Sequence, residues 1–255
     1  MAINKESNVY TIVFATIMVV IVGGVLAFLA TFLKPIQQAN IINEKKQNIL
    51  QATGFMDKTT VTRESAGKDF DTYVTRRITI DFDGNIKSDK KSTDKIEGEL
   101  DAFNIDMRKE FMTVKDKKAR KYPIFVCEKG GETVYVLSCS GKGLWDDVWG
   151  YVGLSSDGKT IKCTIFDHKA ETPGLGSVIA EAKFQDGFVG KKIADESGTY
   201  KPIMIMKPGL PLDTDQKVDG LSGATFTAKG VDEMMSRNFE VYYNFFQKNA
   251  AEFIK

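Results

Sequence analysis

The residues best suited to chemistry stand together near the C-terminus, in Asp219-Gly220-Leu221-Ser222-Gly223-Ala224-Thr225-Phe226-Thr227. Small residues let a backbone come close to a ligand. Backbone N–H groups at a helix start, aided by the helix dipole, hold phosphate. A hydroxyl placed there can itself be phosphorylated or esterified. The same stretch would also serve as a flexible loop whose Ser or Thr caps the following helix. The residue types alone leave both readings open.

Two further stretches suit a flat ring. Gly141-Lys142-Gly143-Leu144-Trp145 puts a Gly-rich entry before an aromatic, and Trp packs well on a ring. A core Trp is the plain alternative. In His168-Lys169-Ala170-Glu171-Thr172-Pro173-Gly174-Leu175-Gly176, Pro and Gly can shape a tight wall. His168 reads as a turn or surface histidine rather than a proton-transfer group. Lys207, in Met206-Lys207-Pro208-Gly209, is a candidate partner for a phosphate or a ring.

Ser222-Gly223-Ala224-Thr225, preceded by Asp219-Gly220, resembles the flavinylation motif of the FMN-binding domain family. At ordinary residue usage, four such residues in a row arise by chance in on the order of one per cent of chains of this length. The other two stretches resemble that family's G-x-G-L-W and H-x-x-E-T-P-G-L-G segments. The resemblance implies FMN held by a phosphoester on Thr225, which a flavin transferase makes from FAD with release of AMP. It further implies that Ser222, Gly223 and Ala224 surround the attachment point. Leu144, Trp145, Gly174 and Leu175 would lie against the flavin, and Glu171 and Thr172 would give polar contacts to ring or ribityl atoms. The order of segments resembles the C-subunit family of sodium-translocating NADH:quinone reductases. The related G subunits of Rnf complexes are usually shorter before the flavin domain. The resemblance therefore implies an electron relay from NADH to quinone, with other membrane and peripheral subunits as partners. A membrane-anchored flavin-binding or sensory module outside any pump is the alternative. No G-x-G-x-x-G fingerprint follows a strand, so NADH would be oxidised on a partner.

Composition sets the class. Hydrophobic residues make up 42% and charged residues 27%, which supports a packed core. With 35 basic and 34 acidic residues, the net charge of +1 gives no field to attract nucleic acid. The cysteines, at 127, 139 and 163, form no C-x-x-C pair, which argues against a disulfide framework or a four-cysteine metal site. Pairing around Gly130-Gly131 would set Cys127 opposite Val134, away from Cys139. His168 is the single histidine, so a multi-histidine metal site is excluded.

No charged residue lies between Val9 and Leu33. A span needs about 20 apolar residues, and a signal peptide has an apolar region of only about 7–15, so an uncleaved anchor is expected. Gly23, Ala27 and Thr31 line one ridge, where another helix could approach closely. Lys5 is offset by Glu6 before the span, while Lys34, Lys45 and Lys46 follow it. That count weakly favours a cytoplasmic soluble part. The resemblance implies the outer face of the bacterial inner membrane, and it outweighs so small a bias because long domains translocate largely regardless of charge.

The fold class expected is α+β: one N-terminal transmembrane helix, then a soluble domain with a twisted antiparallel sheet, packed helices and a C-terminal helix. Residues 1–34 would form the anchor, 35–122 a helical extension and α/β insert, and 123–255 the FMN-binding domain. A helix is expected over 36–53, stopping at Gly54. Strands are expected over 74–82, 124–128, 133–139, 149–154, 160–166, 179–184 and 200–206, and a final helix over 231–254. The charged run 87–121 reads as solvated helix and loop.

Overall fold

The computed structural model describes residues 7–254. Lys5 and Glu6, used in the charge count, lie outside the described residues. The chain divides into two units, one ending at Glu44 and one beginning at Lys45.

Helix α1 (Asn8–Ala52) begins in the first unit and is long and apolar enough there to cross a membrane. The hydroxyls of Thr16 and Thr31 are satisfied within the helix. They donate to the carbonyls of Ile12 and Ala27, at 2.8 and 2.9 Å, so they cost little in hydrocarbon. The helix continues past Pro35 and stops where expected. The Gly54 N–H donates to Gln51, with Gly54 in the left-handed region at φ 63°.

The second unit is built on a six-stranded sheet, all of whose pairs are antiparallel. Its strands are β1 (Val74–Ile80), β2 (Ile86–Lys91), β3 (Tyr122–Lys129), β4 (Glu132–Lys142), β5 (Asp147–Ser155) and β6 (Ile161–His168), in the order β2-β1-β3-β4-β5-β6. Cys127 stands opposite Val134, as the Gly130-Gly131 turn requires. All three thiols are free and buried. Alternating residues feed two cores. Ile124, Leu137 and Cys139 face one core, which holds the apolar stripe of helix α5 (Thr225–Lys248). Phe125, Val134 and Val136 face the other, packed with Ile49 and Leu50 of α1 and Phe70 of α2 (Arg63–Tyr73).

The structure corrects several expectations. Ile86–Lys91, which enters the charged run 87–121 expected as solvated helix and loop, is edge strand β2. Its Lys and Asp residues hide it, and charge on an edge is what keeps such a strand from pairing with other chains. Before the sheet, α2 forms behind an N-cap in which Thr62 accepts the Ser65 N–H, and within the charged run α3 (Met107–Thr113) forms behind Asp106, which accepts the Arg108 N–H. Residues 179–184 are not a strand but the end of a 3-10 turn, Gly176–Ala180, leading into short helix α4 (Ala182–Gln185). Ile179, Phe184 and Phe188 all reach one core, which period-two alternation could not achieve. Of 200–206 only β7 (Met204–Met206) is a strand, parallel to β8 (Lys217–Asp219). The last helix starts earlier than expected, at Thr225, and breaks at Asn249 before α6 (Ala250–Phe253).

Candidate functional site

Thr225 is the first residue of α5, and its side chain is exposed. Ser222 and Gly223 before it are exposed. Gly223 adopts φ 77°, and a Cβ there would stand 3.0 Å from Leu175 Cδ2. Ala224 is the N-cap, with no side chain to offer; its N–H donates to Leu221 at 3.4 Å. Among the described residues, none accepts from the N–H groups of Thr225, Phe226 or Thr227, and the helix ladder begins with Ala228 donating to Ala224. Three free donors at the positive end of a 24-residue helix make an anion-receptive turn.

A cleft of about 210 Å³ opens beside Thr225. Met206, Pro208 and Leu221 form apolar walls, and Lys207 and Lys229 bring positive charge. The Asp219-Gly220 flank builds this cleft. Asp219 accepts the Gly209 N–H at 3.3 Å, which holds the turn carrying Lys207. A Cβ on Gly220 would stand 2.2 Å from the Met206 carbonyl, so only glycine permits that approach. Asp232 also lines the cleft and accepts the Ile205 N–H at 2.9 Å. Burial raises its carboxyl above the ordinary range, only partly offset by that hydrogen bond.

Two loops flank the helix start. Residues 143–146 join β4 to β5, closed by Gly143 N–H donating to Asp146 at 2.8 Å, and they leave Leu144 and Trp145 exposed, Trp145 at 66%. The loop after β6 turns where the Glu171 N–H donates to His168 Nδ1, so His168 is a turn-shaping residue as expected. Exposed Thr172 accepts through its carbonyl from Leu175 and Ser177, Gly174 takes φ 73°, and Leu175 stays exposed. Leu144, Trp145, Leu175 and Phe226 thus put exposed apolar surface on the turns around Thr225, the kind that marks a binding site.

Glu171, which the resemblance implies as a polar contact to the flavin, is held by other segments of the protein. Its side chain is buried, and its carboxylate is bonded to protein donors: the Trp145 N–H at 2.9 Å and the Thr227 hydroxyl at 2.5 Å. Burial alone would raise its pKa. The Thr227, Trp145 and Asp146 hydrogen bonds, with the charge of His168, outweigh burial and hold it below the ordinary range. Thr227 and Lys229 are given no role by the sequence. The Thr-x-Thr spacing at the helix start is the one available signal for Thr227.

These residues fit a phosphate ester that carries a planar group. The hydroxyl is open, the free N–H groups and two lysines suit the phosphate, and apolar side chains stand by for a ring. An α+β domain with this helix start has the form of a flavin carrier, and residues 143–239 match the FMN-binding domain family. Over 237 residues, 90% of this chain and 88% of the relative, it is 32% identical to the C subunit of the Na(+)-translocating NADH-quinone reductase of Haemophilus ducreyi. The crystal structure of the same subunit from Parabacteroides distasonis is 34% identical, with a TM-score of 0.70, covering 84% of this chain and 96% of that one. Shewanella oneidensis NqrC, at 22% identity and a TM-score of 0.64, covering 81% of this chain and 98% of that one, shares the fold. The chain belongs to the family of C subunits of Na(+)-translocating NADH-quinone reductases.

Proposed function

We propose that this chain carries FMN covalently on Thr225 and relays electrons between NADH and quinone within a sodium-translocating reductase complex. The observation that carries the reading is the exposed Thr225 at an uncapped helix N-terminus, between a lysine-lined cleft and exposed apolar side chains. Thr227, two residues on, is 1% exposed with its hydroxyl committed to Glu171, so the geometry favours Thr225 as the acceptor.

In this reading Thr225 Oγ1 attacks the flavin-side phosphorus of FAD on a flavin transferase. A P–O bond forms, the phosphoanhydride bond breaks with AMP leaving, and the hydroxyl proton is released. Nothing is oxidised or reduced. The free N–H groups, Lys207 and Lys229 then hold the phosphate, with Ser222, Gly223 and Ala224 forming the close backbone around it. Leu144, Trp145, Gly174 and Leu175 wall the ring from water, and Thr172 offers a hydroxyl to its polar edge. When bound, the flavin supplies the electron-transfer chemistry, and the protein supplies tethering and surroundings.

Residues 1–34 anchor the chain in the bacterial inner membrane by a single pass, residues 35–122 form the extension and insert, and 123–255 carry the flavin. The domain faces the outer side, and the other membrane and peripheral subunits are its electron partners. The test is Thr225→Ala co-expressed with a flavin transferase. The variant folds but shows no flavin fluorescence after denaturing electrophoresis, where the wild type does. Flavin that persists on the denatured variant contradicts the assignment.

A further inference from the structure

Three sequence motifs meet on one carboxylate. Glu171 Oε1 accepts the Trp145 N–H at 2.9 Å and, more distantly, the Asp146 N–H at 3.5 Å. Oε2 accepts the Thr227 hydroxyl at 2.5 Å. The hairpin turn bearing Leu144 and Trp145, the loop bearing Leu175, and the first turn of α5 are therefore tied at a single side chain. The glycines of two motifs are explained by the same group. A Cβ on Gly143 would stand 2.5 Å from Oε1, and a Cβ on Gly176 would stand 2.4 Å from Oε2 and 2.6 Å from Thr227 Oγ1. Either Cβ would push the carboxylate off its donors, so both glycines leave the room in which the backbone closes around it.

A carboxylate 4% exposed costs free energy unless its oxygens are satisfied. Here they are satisfied by donors from two other segments, in charge-assisted bonds stronger than neutral ones. What the buried charge fixes is the mutual position of the exposed side chains around Thr225.

We infer that Glu171 is the positioning residue of the flavin site: it acts through Thr227 and the Trp145 N–H to hold the apolar walls and the attachment turn in one arrangement, and does not touch the flavin. This inference rests on the flavin reading for its purpose, and the clasp itself can be tested without flavin.

The test uses the full chain in detergent as wild type, Thr227→Val, Thr227→Ser and Glu171→Gln. Thr227→Val removes the donor at nearly constant volume, and Thr227→Ser restores it. In the unflavinylated chain, amide exchange at Trp145 speeds up by about tenfold in Thr227→Val, the expected effect of weakening a charge-assisted bond by about 1.4 kcal/mol. Thr227→Ser returns it to the wild-type rate, and Glu171→Gln, which lacks the charge, also exchanges faster. Amides in the β3–β4 pair stay protected in every variant. In the flavinylated chain, Thr227→Val keeps its FMN mass on Thr225, but iodide quenches its flavin emission more strongly than in the wild type. Equal Trp145 exchange in wild type and Thr227→Val overturns the clasp. Faster exchange with unchanged quenching overturns the positioning role. A wild-type chain that gains no FMN overturns the flavin reading, and the exchange arm still decides the clasp.

Discussion

Gly230 and Lys142 meet so closely that a Cβ on Gly230 would stand 2.2 Å from the Lys142 carbonyl oxygen. This contact seats α5 against the end of β4, next to the turn that carries Leu144 and Trp145. Gly141 repeats it one turn along the helix, where a Cβ would stand 2.7 Å from Met234 Cβ. The attachment turn and the aromatic turn are neighbours because these two glycines let helix and strand touch.

Gly230→Ala should therefore destabilise. Alanine in a helix interior gains up to about 1 kcal/mol over glycine by propensity. Here the clash is with backbone, which cannot rotate away, and overpacking costs about 1–3 kcal/mol. The clash wins. Urea unfolding should show a lower midpoint, and the flavin content per folded chain should fall with it.

Trp145→Ala should leave stability alone and change the flavin. The side chain is 66% exposed and belongs to no core, so unfolding free energy should change by less than about 0.5 kcal/mol. Flavin emission in the loaded chain should rise, because an aromatic wall that shields and quenches the ring is gone. Unchanged emission would remove Trp145 from the site.

Lys45 gives a pH dependence. Its Nζ donates to the carbonyls of Phe103 and Ile105, at 2.6 and 2.7 Å, over the Phe103 ring. Burial pushes its pKa down to about 8, against the opposing charges of Asp106 and Asp101. In the unfolded chain the group holds its proton to about 10.4. Between these values the unfolded state binds more protons, so stability rises with pH; below 8 the whole cost, ~3 kcal/mol, is present. Burial keeps the Tyr151 and Tyr200 phenols protonated in the fold, which works the other way above about 10. Subtracting the curve for Lys45→Met isolates the lysine. The wild type should gain stability relative to the variant from about pH 8 to about pH 10, and parallel curves would contradict the assignment.

Much of this arrangement is legible in the residues themselves. Gly130-Gly131 and Ser155–Lys159 mark two hairpins, and the apolar stripe after residue 231 marks the last helix, because these signals are local. Strand β2 is hidden because an edge strand carries charge instead of an apolar face. The stretch 179–184 misleads because its apolar content mimics a strand without alternating as one. Glu171 stands out by its motif, but the motif does not give its partners. Its bond to Thr227 spans 56 positions, and only the folded chain brings the two together. Gly143, Gly176 and Gly220 stand in motifs, but what each makes room for is known only from the atoms a Cβ there would strike.

Whether Thr225 carries the flavin is decided by the intact mass of the denatured chain co-expressed with a flavin transferase, followed by peptide mapping. The expected outcome is a gain equal to FMN minus water, confined to the peptide containing Thr225 and localised to that residue. No gain with an active transferase, or a gain localised to Thr227, would overturn the assignment.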